Sequence, residues 1–312
     1  MEIFETFNQF STIKGSTLTI GVFDGVHLGH RFLMQQLIRK SKESDTGSGV
    51  VTFSNHPATV VNPDFEPNFL TSLEDRIRLI KGTGVDFVIP LEFNETISSL
   101  GASDFLQILK DQLGMAGLVV GPDFCMGKNR EADVSKLTAL GSKLGFTLDV
   151  VEAQEKSGMS IRSTNLRKLL AKGEVGKVEL MLGRPFSLSG EIVDGFKRGR
   201  QIGFPTANLT PEKGMALPKD GIYSTLVYFE GEQYMAATSV GTRPTFDNGD
   251  RTIEAYILDF DKHIYGKFLR IEFINRIRDE ISFDTIRSLV SQINSDVNET
   301  RRTLEPFMRG KK

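Results

Sequence analysis

At 312 residues, with 39% hydrophobic and 25% charged side chains, the chain has the length for two globular domains of ordinary size. A net charge of -2 gives no electrostatic reason for a nucleic-acid or membrane partner, and the single cysteine, Cys125, excludes an intramolecular disulfide framework and fits a reducing compartment. No apolar run approaches the roughly 20 residues that span a bilayer, and Met1 to Lys14 lacks the basic-then-apolar order of a secretory signal, so a cytoplasmic protein is expected.

The first half alternates strand and helix patterns. Leu18 to Val22 is a short apolar run that ends in the turn Phe23-Asp24-Gly25, and Leu33, Leu37 and Ile38 then share a helical face. Val50 to Phe53 reads as a strand, Leu73, Ile77 and Ile80 as a helix, and Val85 to Leu91 as a buried, β-branched strand. Phe105, Leu106, Leu109 and Leu113 form another helical stripe. Leu118 to Val120, ending at Gly121, and Phe146 to Val151 read as two more strands. This order predicts a mostly parallel sheet covered on both faces, with ligands at the C-terminal ends of its strands.

Near residue 184 the period changes, which divides the chain into domains at 1–183 and 184–312. Strand candidates now crowd together: Phe186 to Val193, Ile222 to Tyr228, Tyr234 to Val240, Thr252 to Leu258 and Phe268 to Phe273. Glycine and proline punctuate them, as in a small antiparallel barrel. A last helix from about Asp284 carries Ile286, Leu289, Ile293, Val297 and Leu304 on one stripe, which should pack on the barrel.

Two segments carry chemistry. In Gly21-Val-Phe23-Asp24-Gly25-Val-His27-Leu-Gly29-His30 a strand gives way to a helix. A helix N-terminus offers free N–H groups and positive dipole to phosphate. Gly25 and Gly29 allow close approach to the backbone, and His27 and His30, three residues apart, fall on one face. Their imidazoles can donate to phosphate oxygens during an in-line displacement that needs no protein nucleophile. Ser163-Thr164-Asn-Leu-Arg167 can grip phosphates in the same way, although the residues alone favour a plain capped helix. In the second half, Gly195 leads into Gly199-Arg-Gln-Ile-Gly203-Phe-Pro-Thr206-Ala-Asn208. This is not a P-loop. Thr206 and Asn208 share a side if Pro205 to Leu209 is extended, and their oxygens are hard ligands suited to Mg²⁺ beside phosphate; a barrel corner would use the same glycines for geometry alone.

His27-Leu-Gly-His30, His56-Pro57, Val120-Gly-Pro-Asp123-Phe with Gly127, and Ser163-Thr164 with Arg167 stand in the order found in prokaryotic FAD synthetases, which they resemble over residues 16 to 172. The resemblance implies a Rossmann-like nucleotidyltransferase domain. It implies ATP binding by His27, His30, Gly21, Phe23, Asp24, Gly25, Gly29, Ser163, Thr164 and Arg167, with Asp123 near the nucleotide. This chain departs from the family pattern at Arg162, at Ser54-Asn55 before His56, and at Ala132. The second half resembles riboflavin kinase over residues 184 to 300. It carries Gly-Arg-x-x-Gly-Phe-Pro-Thr-Ala-Asn, Gly221-Ile-Tyr223, Ser239-Val-Gly241 with Pro244-Thr245, Thr252-Ile-Glu254 and Arg276-Ile-Arg278-Asp-Glu280. That resemblance implies a small antiparallel riboflavin-kinase barrel with a packed C-terminal helix. It implies Mg²⁺ and ATP on Thr206 and Asn208, ATP along Gly195, Gly199 and Gly203, Glu254 as general base, and flavin contacts from Arg276, Arg278 and Glu280. Tyr256 stands where a histidine is frequent.

Together these resemblances imply a bifunctional enzyme of riboflavin, FMN, FAD and ATP, with Mg²⁺ and without nucleic-acid or membrane partners. A chain that keeps only the kinase activity, or a non-catalytic flavin or nucleotide sensor, stays open at this point.

Overall fold

The computed structural model describes residues 7, 15–152, 155–156, 159–194, 198–242 and 251–308. The chain divides into two compact units, Met1–Ser163 and Thr164–Lys312.

The first unit is built on five parallel strands: β1 (Ser16–Gly21), β2 (Gly47–Phe53), β3 (Phe87–Leu91), β4 (Met115–Val120) and β5 (Thr147–Val150). Their order across the sheet is β3-β2-β1-β4-β5. Adjacent residues serve opposite faces. Leu18, Ile20, Val51, Ile89, Leu118 and Val120 pack with the Ala102–Leu113 helix, whereas Val50, Val88 and Val119 pack with Met34 and Leu37 of the Leu28–Glu43 helix and Ile80 of the Leu73–Lys81 helix. Burial on both faces is why these strands read as unbroken apolar runs. β2 starts three residues before the apolar signal, because Gly47 to Gly49 pair with Ser16 to Leu18 through backbone alone. The Val134–Leu144 helix, which the pattern did not announce, is fixed at its ends. The Asp133 carboxylate accepts from the Lys136 N–H, and Gly145 takes the left-handed conformation. A short ribbon, β6 (Glu155–Lys156) with β7 (Met159–Ser160), ends this unit.

The second unit takes up the Ser163–Leu170 helix from Thr164 onward, continues in the Val175–Leu182 helix, and closes six antiparallel strands into a barrel. These are β8 (Phe186–Val193), β9 (Ala207–Pro211), β10 (Gly221–Phe229), β11 (Glu232–Thr242), β12 (Arg251–Ile257) and β13 (Phe268–Arg278), in the order β10-β11-β12-β9-β8-β13 with β13 returning to β10. β8 alternates buried and accessible residues along its whole length, as a barrel wall requires. β9 is the strand the pattern left uncounted. It is five residues long, and it joins β8 to β12.

The last helix, Ile286–Met308, lies against β10, β11 and β13. Leu304 of the expected stripe is buried and Leu289 and Ile293 line the barrel cavity, but the packed face departs from that stripe at its start and in two polar residues. Ile286 is 68% exposed, and the fully buried residues are Asp296, Thr300 and Leu304. The reason is an ion pair: Arg278 Nε and Nη2 reach the Asp296 carboxylate at 3.0 and 2.6 Å, drawing a polar line of the helix inward. Leu304 seals the end against Leu226 and Ile274.

Candidate functional site

In the sheet unit the site begins where β1 stops. Phe23 and Val26 take positive φ (51° and 39°), a conformation that costs a β-branched residue dearly. Buried anchors hold this turn. The Asp24 carboxylate accepts from the Leu70 and Thr71 N–H groups at 2.9 and 3.1 Å, and the Gly25 N–H donates to Thr71 Oγ1. The Val22 carbonyl accepts from Thr52 Oγ1 at 3.0 Å and from Nη1 of the buried Arg76 at 2.8 Å.

The turn delivers His27 as the N-cap of the Leu28–Glu43 helix, with its Nδ1 accepting from the His30 N–H at 3.2 Å. A nitrogen that accepts carries no proton, so Nε2 is the donor of this imidazole. The two histidine rings stack with centroids 3.5 Å and planes 19° apart, and Phe23 meets His30 edge-on. Burial first, then the charge of His27, holds His30 well below the ordinary histidine range.

These rings line a cavity of about 330 Å³ at the ends of β1 and β4, neighbours in the sheet at the point where strand order reverses. That is where open α/β sheets bind ligands. Its wall includes Thr19, Phe23, Gly29, Asp123, Glu152, Arg162 and Ser163. Among the described residues His30 Nδ1 and Thr19 Oγ1, both buried, have no hydrogen-bond partner, the mark of groups that meet a ligand or water. Asp123 pairs with Arg162 at 2.6 Å, and Ser163 Oγ donates to the Asp24 carbonyl.

Gly21, Asp24 and Gly25 are not part of this wall. A side chain at Gly21 would meet the Phe23 ring at 3.1 Å, and Asp24 and Gly25 are spent on Leu70 and Thr71. Thr164 and Arg167 follow Ser163 on its helix, Thr164 exposed and Arg167 half-buried. Asn55, one of the departures, exchanges two hydrogen bonds of 2.8 Å with the Phe93 backbone, a bracing role.

In the barrel unit a cavity of about 520 Å³ is lined by Gly199, Thr206, Glu254, Arg278 and Glu280 among the expected residues. Thr206 Oγ1 lies 3.3 Å from Glu254 Oε2, and Asn208 is the register partner of Glu254 across β9 and β12. Residues directly opposite in an antiparallel pair project to the same side, so the three oxygen-bearing groups cluster. Burial first, then the charge of Asp220, raises the Glu280 carboxyl. Phe204, Ser239, Tyr256, Phe283, Leu289 and Ile293, which the sequence marked only as motif or stripe positions, also line it, as does Asp296, which carried no sequence signal. Tyr256 packs edge-on against Phe204 with centroids 5.1 Å apart.

Arg276 is elsewhere. Its guanidinium reaches the Asp220 carbonyl (2.7 Å), the Asp279 carboxylate (2.6 Å) and the Tyr223 hydroxyl (3.3 Å), and it is not on the cavity wall. Gly199 accepts the Phe204 N–H at its carbonyl, and a side chain on it would overlap the Phe204 carbonyl oxygen. Gly203 takes positive φ of 88° in open space. Gly195, Pro244 and Thr245 lie outside the described residues.

Comparison with known proteins gives both halves the same family context. A family model for FAD synthetase matches residues 9–165 and one for riboflavin kinase matches residues 182–304. A bifunctional riboflavin kinase/FMN adenylyltransferase of Pseudomonas fluorescens is 35% identical over 94% of each chain. The chain belongs to the bifunctional riboflavin kinase/FMN adenylyltransferase family. The Escherichia coli K12 protein of the same description is 34% identical over 91% of each chain. A crystal structure named as a macrolide-efflux protein from Streptococcus pneumoniae shares the fold, with a TM-score of 0.86 and 29% identity over 94% of this chain and 96% of that one. Among the described residues no helix is long and apolar enough to cross a membrane.

Proposed function

We propose that the protein phosphorylates riboflavin to FMN in its barrel unit and adenylylates FMN to FAD in its sheet unit, using one ATP in each step. The observation that supports this is that each unit has its own cavity with groups suited to phosphate: stacked imidazoles at a helix start in one, and Thr206 beside Glu254 in the other. The functional domains are 1–183 and 184–312, a division supported by family matches that end at 165 and begin at 182.

In the kinase step the Glu254 carboxylate takes the proton of the riboflavin 5′-hydroxyl as that oxygen bonds to the γ-phosphorus of ATP and ADP leaves. Thr206 and Asn208 would hold Mg²⁺. The fit is chemical: a hydroxyl and an amide oxygen next to a carboxylate are hard donors. Among the described residues there is no cluster of three acidic, histidine or cysteine side chains, as suits an ion that takes its other ligands from nucleotide phosphates. When bound, Mg²⁺ offsets charge on the transferring group. Gly195, Gly199 and Gly203 serve ATP, Arg278 and Glu280 serve the flavin, and Arg276 braces Asp220, Asp279 and Tyr223.

In the adenylyl step a phosphate oxygen of FMN attacks the α-phosphorus of ATP, the bond to the β-phosphate breaks, and pyrophosphate leaves. His27 and His30 donate to the triphosphate, joined by Ser163, Thr164 and Arg167, while Gly29 lets it approach the helix start. Phe23 and Asp123 line the nucleotide's cavity; Gly21, Asp24 and Gly25 build the turn that aims the histidines. The single cysteine supports a cytoplasmic setting.

The test is a chromatographic assay of the purified chain with Mg-ATP, started once from riboflavin and once from FMN. Both FMN and FAD from the first, and FAD from the second, are expected. FMN accumulating with no FAD from either start would refute the adenylyltransferase assignment.

A further inference from the structure

Among the described residues that line the first cavity, Arg162 is the one lysine or arginine, and Asp123 and Glu152 are the carboxylates. His30, held neutral by burial, brings no charge at neutral pH. A polyphosphate would therefore enter past two carboxylates, and the guanidinium beside them is that of Arg162.

The position of Arg162 is specific. Its Nη2 lies 2.6 Å from Asp123 Oδ2 and its Nε donates to Ser160 Oγ at 3.1 Å. Asp123 comes from the loop after β4 and Arg162 from the residues just after β7, so the pair joins two walls of the cavity. Its side chains are 59% and 68% exposed. An ion pair so exposed adds little to stability, whereas a guanidinium meets phosphate through two parallel charge-assisted hydrogen bonds. Exchange of the carboxylate for a phosphate oxygen is thus favourable and needs only side-chain rotation.

We propose that Arg162 is a phosphate-binding residue of the adenylyl-transfer cavity, held at its mouth by Asp123 and handed from that carboxylate to a substrate phosphate as the substrate enters. This rests on the reading of the sheet unit as an adenylyltransferase. The ligand chemistry is a phosphate anhydride or a phosphate monoester, and ATP and FMN supply one each.

The experiment uses the full chain. FAD formation is measured with ATP varied at saturating FMN, then with FMN varied at saturating ATP, and the rate of FMN formation from riboflavin serves as the folding control. In Arg162→Ala a fall of at least tenfold in kcat/KM is expected for one of the two substrates, and the affected substrate identifies the phosphate. Arg162→Lys should recover only part, because an ammonium lacks the fork. Asp123→Asn in the Arg162→Ala background decides between binding and mere neutralisation. A double variant as impaired as Arg162→Ala supports phosphate binding. Recovery to the unaltered rate would overturn it, as would no change in Arg162→Ala for either substrate. An unaltered chain that makes no FAD at all would instead sink the adenylyltransferase reading itself.

Discussion

Thr206 and Glu254 meet through their side-chain oxygens at 3.3 Å on the wall of the barrel cavity, although 48 residues separate them. The contact couples a candidate metal ligand to a candidate base, and the two parts are separable by mutation. Thr206→Val keeps the shape and removes the oxygen, so the riboflavin kinase rate should fall on the order of 10²-fold, while Thr206→Ser keeps most of it. FAD formation from supplied FMN should be unchanged in both, as read by chromatography.

The stacked imidazoles make a prediction about protons. His30 is neutral in the unliganded protein, and an anionic phosphate oxygen beside it favours the charged form. ATP binding near pH 7 should therefore take up protons. Calorimetry in two buffers of different ionisation enthalpy reads the uptake, and His30→Asn should abolish that part. The same shift bears on stability. Below about pH 6.5 the unfolded imidazole binds a proton that the folded one refuses, so stability contributed at this position falls as the solution is acidified. Above that pH both states are neutral and the contribution is flat. Denaturant midpoints at pH 5.5 and 7.5 should differ less in His30→Asn than in the unaltered chain.

Arg76 is 1% exposed and ties the Val22 and Phe53 carbonyls together at 2.8 and 2.9 Å. It pins the ends of β1 and β2 under the strained turn. Arg76→Met fills the volume and frees both carbonyls. A loss of about 3 kcal/mol in stability is expected on denaturant unfolding, together with a fall in FAD formation larger than any in FMN formation.

The Arg278–Asp296 pair fastens the C-terminal helix to β13. Asp296→Ala leaves a guanidinium in a partly buried wall without its carboxylate, which should cost about 3 kcal/mol and weaken riboflavin binding. A flavin fluorescence titration alongside unfolding checks both.

The architecture was legible where burial imposes a period. The apolar runs marked the parallel strands β1 to β4 because both faces of the sheet are covered there, while β5 at the edge is more exposed, and β8 showed the alternation of a barrel wall. β9 stayed hidden because it is short and ends in proline, and the Val134–Leu144 helix because its caps say more than its stripe. Local motifs brought His27 with His30, and Thr206 and Asn208 with Glu254, where the loops carry them. Sequence gave no sign that Asp24 and Arg276 hold Leu70 and Asp220, 46 and 56 residues away. Long-range pairs of this kind, Arg162 with Asp123 and Arg278 with Asp296 included, leave no periodic trace in a single chain.

The claim beneath all of these is that ATP is used in two independent cavities. It is tested most directly by running FMN and FAD formation side by side in His27→Ala/His30→Ala and in Glu254→Gln, with folding verified by circular dichroism. The histidine variant should turn riboflavin into FMN and make no FAD from any start, and the glutamate variant should make FAD from supplied FMN but no FMN from riboflavin. Loss of both activities in both folded variants would contradict two independent sites.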